Sequence, residues 1–156
     1  MENARIAELI DEIGDLLELQ GGHPFKIRSY RNAARTVRDL GQRIEDLAAE
    51  GKDLRALPGI GEAISGKIHE MLQTGTCKRL EELRRATPRG LIELLKVPGL
   101  GPRKAKLLHD KLKVDSLDAL KAACEAGKVR RLPGMGERTE QNILRGLRTV
   151  SQAAKR

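Results

Sequence analysis

The sequence predicts an all-α fold, in which a small helical domain is followed by repeated units of two helices joined by a tight hairpin. Two observations carry this. Apolar residues recur at spacings of three and four along most of the chain, with no sustained alternation at a period of two of the kind a half-buried strand needs. A five-residue pattern, aliphatic-Pro-Gly-aliphatic-Gly, occurs three times, at Leu57–Gly61, Val97–Gly101 and Leu132–Gly136, each time ahead of a helical stretch.

The elements follow in order. Residues 4 to 19 place Ile6, Leu9, Ile10, Ile13, Leu16 and Leu17 on one face, with Glu8, Asp11, Glu12 and Asp15 between them, which is the pattern of an amphipathic helix. Gly21 and Gly22 end it, and His23-Pro24 makes an extended turn before a basic helix from about Phe25 to Leu40 that carries Lys26, Arg28, Arg31, Arg35 and Arg38. A third helix spans about Arg43 to Glu50 and stops at Gly51, a residue able to take the left-handed cap conformation. Beyond the first hairpin, Cys77 to Ala86 reads as a charged helix, Thr87-Pro88 as an N-cap with proline at the first helical position, and Ser116 as the cap of a helix to about Ala126.

Composition narrows the partners. Thirty Lys and Arg against 22 Asp and Glu give a formal net charge of +8, so a polyanion, and nucleic acid first, is the expected ligand. Phe25 and Tyr30 are the only aromatic residues, too few to stack a run of unpaired bases, which favours duplex or backbone binding over single-strand wrapping. Cys77 and Cys124 lack the spacing of a zinc site or a disulfide framework, and no secretory pattern or apolar run of membrane-spanning length is present. A cytoplasmic protein is therefore expected, associated with the nucleoid if its source is bacterial. It is expected to require no cofactor, to have no membrane partner and to be a monomer.

The repeat explains how such a chain could hold a backbone. Two glycines give each loop a tight turn and remove the Cβ atoms that would hold off a ligand, while the aliphatic residue between them points inward. The N–H groups after the second glycine then lie at a helix N-terminus, where open donors and the helix dipole favour a phosphate. On this reading Gly59, Gly61, Gly99, Gly101, Gly134 and Gly136 line phosphate contacts, helped by Lys67 after the first loop, Arg103, Lys104 and Lys106 after the second, and Arg138 after the third. Such contacts carry no base information, so binding is independent of sequence and sensitive to salt. Arg84-Arg85 and Arg130-Arg131 are short charge runs of a kind usually just solvated, though the second directly precedes the third loop and so could reach DNA. His69-Glu70 lacks the second histidine of a zinc-protease motif, and His23 and His109 read as a turn residue and a surface residue.

These loops resemble the helix-hairpin-helix motif. Their order behind the N-terminal helices, with Tyr30 to Arg35 (YRNAAR), Leu57 to Gly75 (LPGIGEAISGKIHEMLQTG) and Pro98 to Leu120, resembles the amino-terminal part of the X family of DNA polymerases, most closely its bacterial members. The resemblance implies a lyase-like domain over residues 1–75 and a DNA-binding domain with the second and third hairpins over residues 76–156. It implies duplex DNA with a gap or nick and a 5′-phosphate end as partner. It also implies a Na⁺ or K⁺ ion at each of two hairpins, held by the carbonyls of Arg55, Leu57 and Ile60 in the first and Leu95, Val97 and Leu100 in the second. The family's palm domain, with its glycine-serine motif and aspartate metal ligands, has no counterpart after Arg145, so no polymerase activity is expected of this chain alone.

An enzyme reading comes from the same resemblance: a 5′-deoxyribose phosphate lyase acting by Schiff base through Lys67. Tyr30 and Lys26 match positions beside the family's nucleophile, and Arg55 and Arg79 match basic positions of its phosphate pocket. Ala63 stands where vertebrate members have a phosphate-binding lysine, and Phe25 where they have a histidine that stacks on a base. Set against both the binding and the enzyme reading is a scaffold whose helices hold protein partners.

Overall fold

The computed structural model describes residues 1–154, with side chains described to Ser151. Among the described residues all regular structure is helical: α1 (Asn3–Leu19), α2 (Pro24–Asp39), α3 (Ile44–Ala49), α4 (Glu62–Thr74), α5 (Lys78–Ala86), α6 (Arg89–Leu95), α7 (Pro102–Leu112), α8 (Leu117–Glu125) and α9 (Glu137–Ala154). Single 3₁₀ turns at Leu54–Ala56 and Val129–Arg131 lead into the first and third hairpins. No described helix is long and apolar enough to cross a membrane. The chain divides into two compact units, Met1–Ala86 and the residues from Thr87 onward.

In the first unit the apolar stripe of α1, including Ile6, Leu9, Ile10, Ile13 and Leu16, is buried together with Ala33, Ala34 and Val37 of α2. The two helices are also tied by charge. Arg31 of α2 donates to the Asp11 carbonyl at 2.9 Å and to Asp15 Oδ1 at 2.6 Å, and Arg38 pairs with Asp11 at 2.8 Å. Gly14 makes room for this, since a Cβ there would stand 3.1 Å from the Arg31 guanidinium carbon. His23 is more than a turn residue: its Nδ1 accepts the Phe25 N–H at 3.1 Å and caps α2.

The first unit runs past residue 75 to include α5. Leu80 and Leu83 are fully or almost fully buried, and Arg84 makes a two-pronged pair with Glu12 of α1 at 2.6 and 2.8 Å. A sequence reading that follows the hairpin motif ends the domain at Gly75 and cannot register a partner 72 residues upstream.

The second unit holds α6 to α9. Pro88, rather than Thr87, is the N-cap of α6, in an extended conformation that leaves the buried Thr87 one place further out. Ser116 caps α8 through its Oγ, which accepts the Ala119 N–H at 3.0 Å. Two glycines set close approaches here. A Cβ at Gly90 would lie 2.6 Å from the Asp115 carbonyl oxygen, and one at Gly146, in the middle of α9, would lie 2.7 Å from the Pro98 carbonyl oxygen and 2.9 Å from Val97 Cγ1. The second hairpin therefore rests its backbone directly on the helix that follows the third.

Both cysteines are buried and free. Burial pushes the Cys77 thiol up, and burial together with the Glu140 carboxylate pushes Cys124 up to about 11. These are packed side chains with no thiolate character.

Candidate nucleic-acid interface

The three hairpins are built on one backbone plan. Each begins at a buried residue, Leu54, Leu94 or Val129, whose carbonyl accepts the N–H of Leu57, Val97 or Leu132 at 3.1, 3.2 and 3.1 Å. The carbonyl of that second residue accepts from Ile60, Leu100 or Met135 at 3.1, 3.0 and 3.1 Å. Proline at the second place of this turn and a positive-φ glycine at the third mark it as type II, with φ of 75° at Gly59, 84° at Gly99 and 77° at Gly134. Ile60, Leu100 and Met135 are buried, so the loop is pinned from inside as its sequence predicts. The second glycine then starts the next helix, its carbonyl accepting from Ser65, Ala105 or Glu140 at 2.9, 3.0 and 3.0 Å.

What the loops leave open is the face toward solvent. A Cβ at Gly61, Gly99, Gly101, Gly134 or Gly136 would meet nothing within 4 Å, and one at Gly59 would meet only Asn32 and Thr36 at ordinary contact distance. No side chain caps α4 or α7. The first N–H groups of these helices, from Glu62 in α4 and from Arg103 in α7, where Pro102 has none, are therefore free donors on an unobstructed surface, at the positive end of a helix dipole.

The cations around the loops differ in freedom. At the second hairpin Arg103 and Lys106 are exposed and Lys104 half-buried, and none has an acidic partner among the described residues. At the third, Arg138 and Arg131 are exposed and without an acidic partner among the described residues. Arg130 is engaged there by Glu140. Its backbone N–H donates to Glu140 Oε2 at 2.9 Å, and its guanidinium donates to Oε1 at 3.1 and 2.8 Å. Glu140 is only 2% exposed, and its bonds to Arg130 hold its carboxyl below the usual range. At the first hairpin Arg55 is likewise engaged, gripping Asp53 through Nε and Nη2 at 3.0 Å each. Ala63 adds no charge and Glu62 adds a negative one, so the first loop carries no free cation of its own. Arg79, on α5, is exposed and lies 3.7 Å from Glu82.

Lys67 and Tyr30 come together. Lys67, half-buried on α4, sets its Nζ 6.0 Å from the centroid of the Tyr30 ring, and Tyr30 is buried on α2. This is the outer reach of the attraction between a ring face and an ammonium. Lys26 is exposed one turn before Tyr30 on the same helix. Phe25, 68% exposed, is the one large apolar side chain on the surface of the described residues.

For a bound cation, the described residues offer no cluster of three His, Cys, Asp or Glu. Loop carbonyls are a different matter. Those of Arg55, Ile60, Leu95 and Leu100 accept no backbone hydrogen bond, and those of Leu57 and Val97 accept one each and keep a second lone pair. These oxygens suit a hard monovalent cation.

Fold and loops together define a DNA-binding protein of the helix-hairpin-helix class. The family described as a helix-hairpin-helix domain matches residues 1–77, and the SAM-like helix-hairpin-helix tandem matches residues 91–149. The chain is 35% identical over 147 residues to the DNA polymerase/3′-5′ exonuclease PolX of Bacillus subtilis (strain 168), a match covering 94% of this chain and 25% of that protein. It is 32% identical over 89 residues to the Holliday junction branch migration complex subunit RuvA of Polaromonas sp., covering 56% of this chain and 46% of that protein. The chain is a tandem of helix-hairpin-helix domains homologous to the X-family DNA polymerase PolX, and it spans about a quarter of that relative's length.

Proposed function

We propose that this chain grips the phosphate backbone of gapped or nicked duplex DNA, whatever its sequence, as the helix-hairpin-helix part of a repair polymerase. The observation that carries the reading is the threefold loop: one hydrogen-bonding plan and an open glycine face, repeated in a chain of net charge +8, with uncapped helix N-termini behind the first two loops. Where a monovalent cation binds, the carbonyls of Arg55, Leu57 and Ile60 and those of Leu95, Val97 and Leu100 would hold it and add positive charge beside a phosphate. Affinity for a gapped duplex will fall with salt at a slope of about −0.9 in log–log form for each phosphate contacted, and will vary little with sequence. A flat salt response measured by fluorescence anisotropy would overturn the reading. A preference for a 5′-phosphorylated gap over intact duplex is the expected sign that the first hairpin faces a strand end.

A second activity is supported by the meeting of Lys67 with Tyr30. As a lyase, the neutral Lys67 amine would attack C1′ of an abasic sugar, form the C–N bond and expel water to give a Schiff base. Loss of a C2′ proton to a base would then break the C3′–O bond and release the strand. Borohydride on a 5′-incised abasic duplex will trap a covalent adduct in the native chain and none in Lys67→Ala. An adduct that survives the substitution would rule out this lysine.

A further inference from the structure

The first hairpin has the phosphate-binding backbone but no free cation directly after its loop, because Arg55 is held by Asp53 and the positions after Gly61 are Glu62 and Ala63, while Lys67 lies further along α4 beside Tyr30. The second and third hairpins carry theirs on the following helix, as Arg103 and Arg138. Helix α2 shows where the missing charge of the first one has gone.

Five cations lie on α2, and they fall into three groups. Arg31 and Arg38 are bound to Asp11 and Asp15 of α1 and hold the fold together. Lys26 sits one turn from Tyr30. Arg28 and Arg35 are exposed and have no acidic partner among the described residues; even Asp39, one turn beyond Arg35, forms no ion pair with it. These two flank the point where the hairpin meets the helix. Thr36 Oγ1 donates to the Pro58 carbonyl at 2.8 Å, and a Cβ at Gly59 would stand 3.8 Å from that of Asn32. Helical spacing puts residues 28, 32, 35 and 36 on one face within about 100° of arc, with Arg28 and Arg35 roughly 10 Å apart along the axis.

We infer that Arg28 and Arg35 form a second phosphate-binding line beside the first hairpin, so that a DNA strand seated on Gly59–Gly61 continues along α2. The hairpin supplies oriented N–H donors, and the neighbouring helix supplies the charge that the first turn of α4 lacks. Arginine suits the task, since its planar fork can bind a phosphate through two N–H groups at once. Nothing in the fold needs either side chain, whereas Arg31 and Arg38 on the same helix are structural.

This inference rests on the DNA-binding reading above, and one experiment separates the two. Affinity of the full chain for a 5′-phosphorylated gapped duplex is measured over a salt series for the native protein, Arg28→Ala/Arg35→Ala, Arg28→Lys/Arg35→Lys and, as a control on α1, Arg5→Ala. The double alanine variant should lower the salt slope by roughly 2, close to 0.9 for each lost phosphate contact, and weaken binding uniformly across sequences. The lysine variant should restore most of the slope, and Arg5→Ala should leave it unchanged. Circular dichroism identifies any variant that fails to fold, and Arg28→Gln/Arg35→Gln then takes its place. A steep native slope that the double variant leaves unaltered would overturn the inference and spare the binding function. A flat native slope would overturn the binding function itself.

Discussion

Gly146→Ala will destabilise the second unit, although the same exchange in the interior of most helices is favourable by about 1 kcal/mol. The added methyl would lie 2.7 Å from the Pro98 carbonyl oxygen and 2.9 Å from Val97 Cγ1. One of these neighbours is backbone and cannot rotate away, so the hairpin or α9 must shift, at a cost of about 1–3 kcal/mol. The shift falls on the loop that leads into Arg103 and Lys104 of α7, and DNA affinity should drop along with stability. Gly66→Ala, at an exposed position of α4 with nothing within 4 Å, should instead be neutral or stabilising. Urea unfolding of the two variants tests the contrast. A Gly146→Ala protein as stable as the native one would show that the second hairpin does not depend on this contact.

Glu140→Ala should loosen the third hairpin, with a cost of about 2 kcal/mol, the size expected when buried charge-assisted hydrogen bonds are removed and a backbone donor is stranded. Hydrogen exchange at residues 129–136 should speed up, while the first unit keeps its native rates. The pH dependence has a definite sign. Glu140 has a carboxyl held below its ordinary value of 4.5 by the Arg130 hydrogen bonds, so its contribution is complete above about pH 4.5 and is lost as pH falls through the lower folded-state value. The stability difference between native and Glu140→Gln proteins should therefore be larger at pH 7 than at pH 3. Equal differences at the two pH values would mean that the ionised carboxylate is not what holds the turn.

Much of this was open to reading from residues alone. The i, i+3, i+4 stripe of α1, the glycine stops and the three repeated pentapeptides report local backbone preferences, and local preferences are what a sequence states directly. The inward aliphatic of each loop and the Ser116 cap follow for the same reason. Which cations are free is another kind of question. Arg28, Arg31, Arg35 and Arg38 are alike in the sequence, and only the packing of α1 on α2 separates the two that are neutralised by Asp11 and Asp15 from the two that are not. Arg130 and Arg131 are likewise alike in the sequence, and only the burial of Glu140, ten residues on, separates them. Gly146 in a helical pattern reads as a simple weakness, and its use becomes visible only when the Pro98 carbonyl is found against it.

The backbone hydrogen bonds that close each turn lie within a stretch of seven residues, and proline already restricts the turn before any contact forms. Each loop therefore meets a phosphate as a finished surface, with its chain entropy lost at folding and little left to lose on encounter. On a DNA backbone this favours rapid capture and equally rapid release. Dwell time would then depend on how many such preformed points engage together, more than on the strength of any one of them.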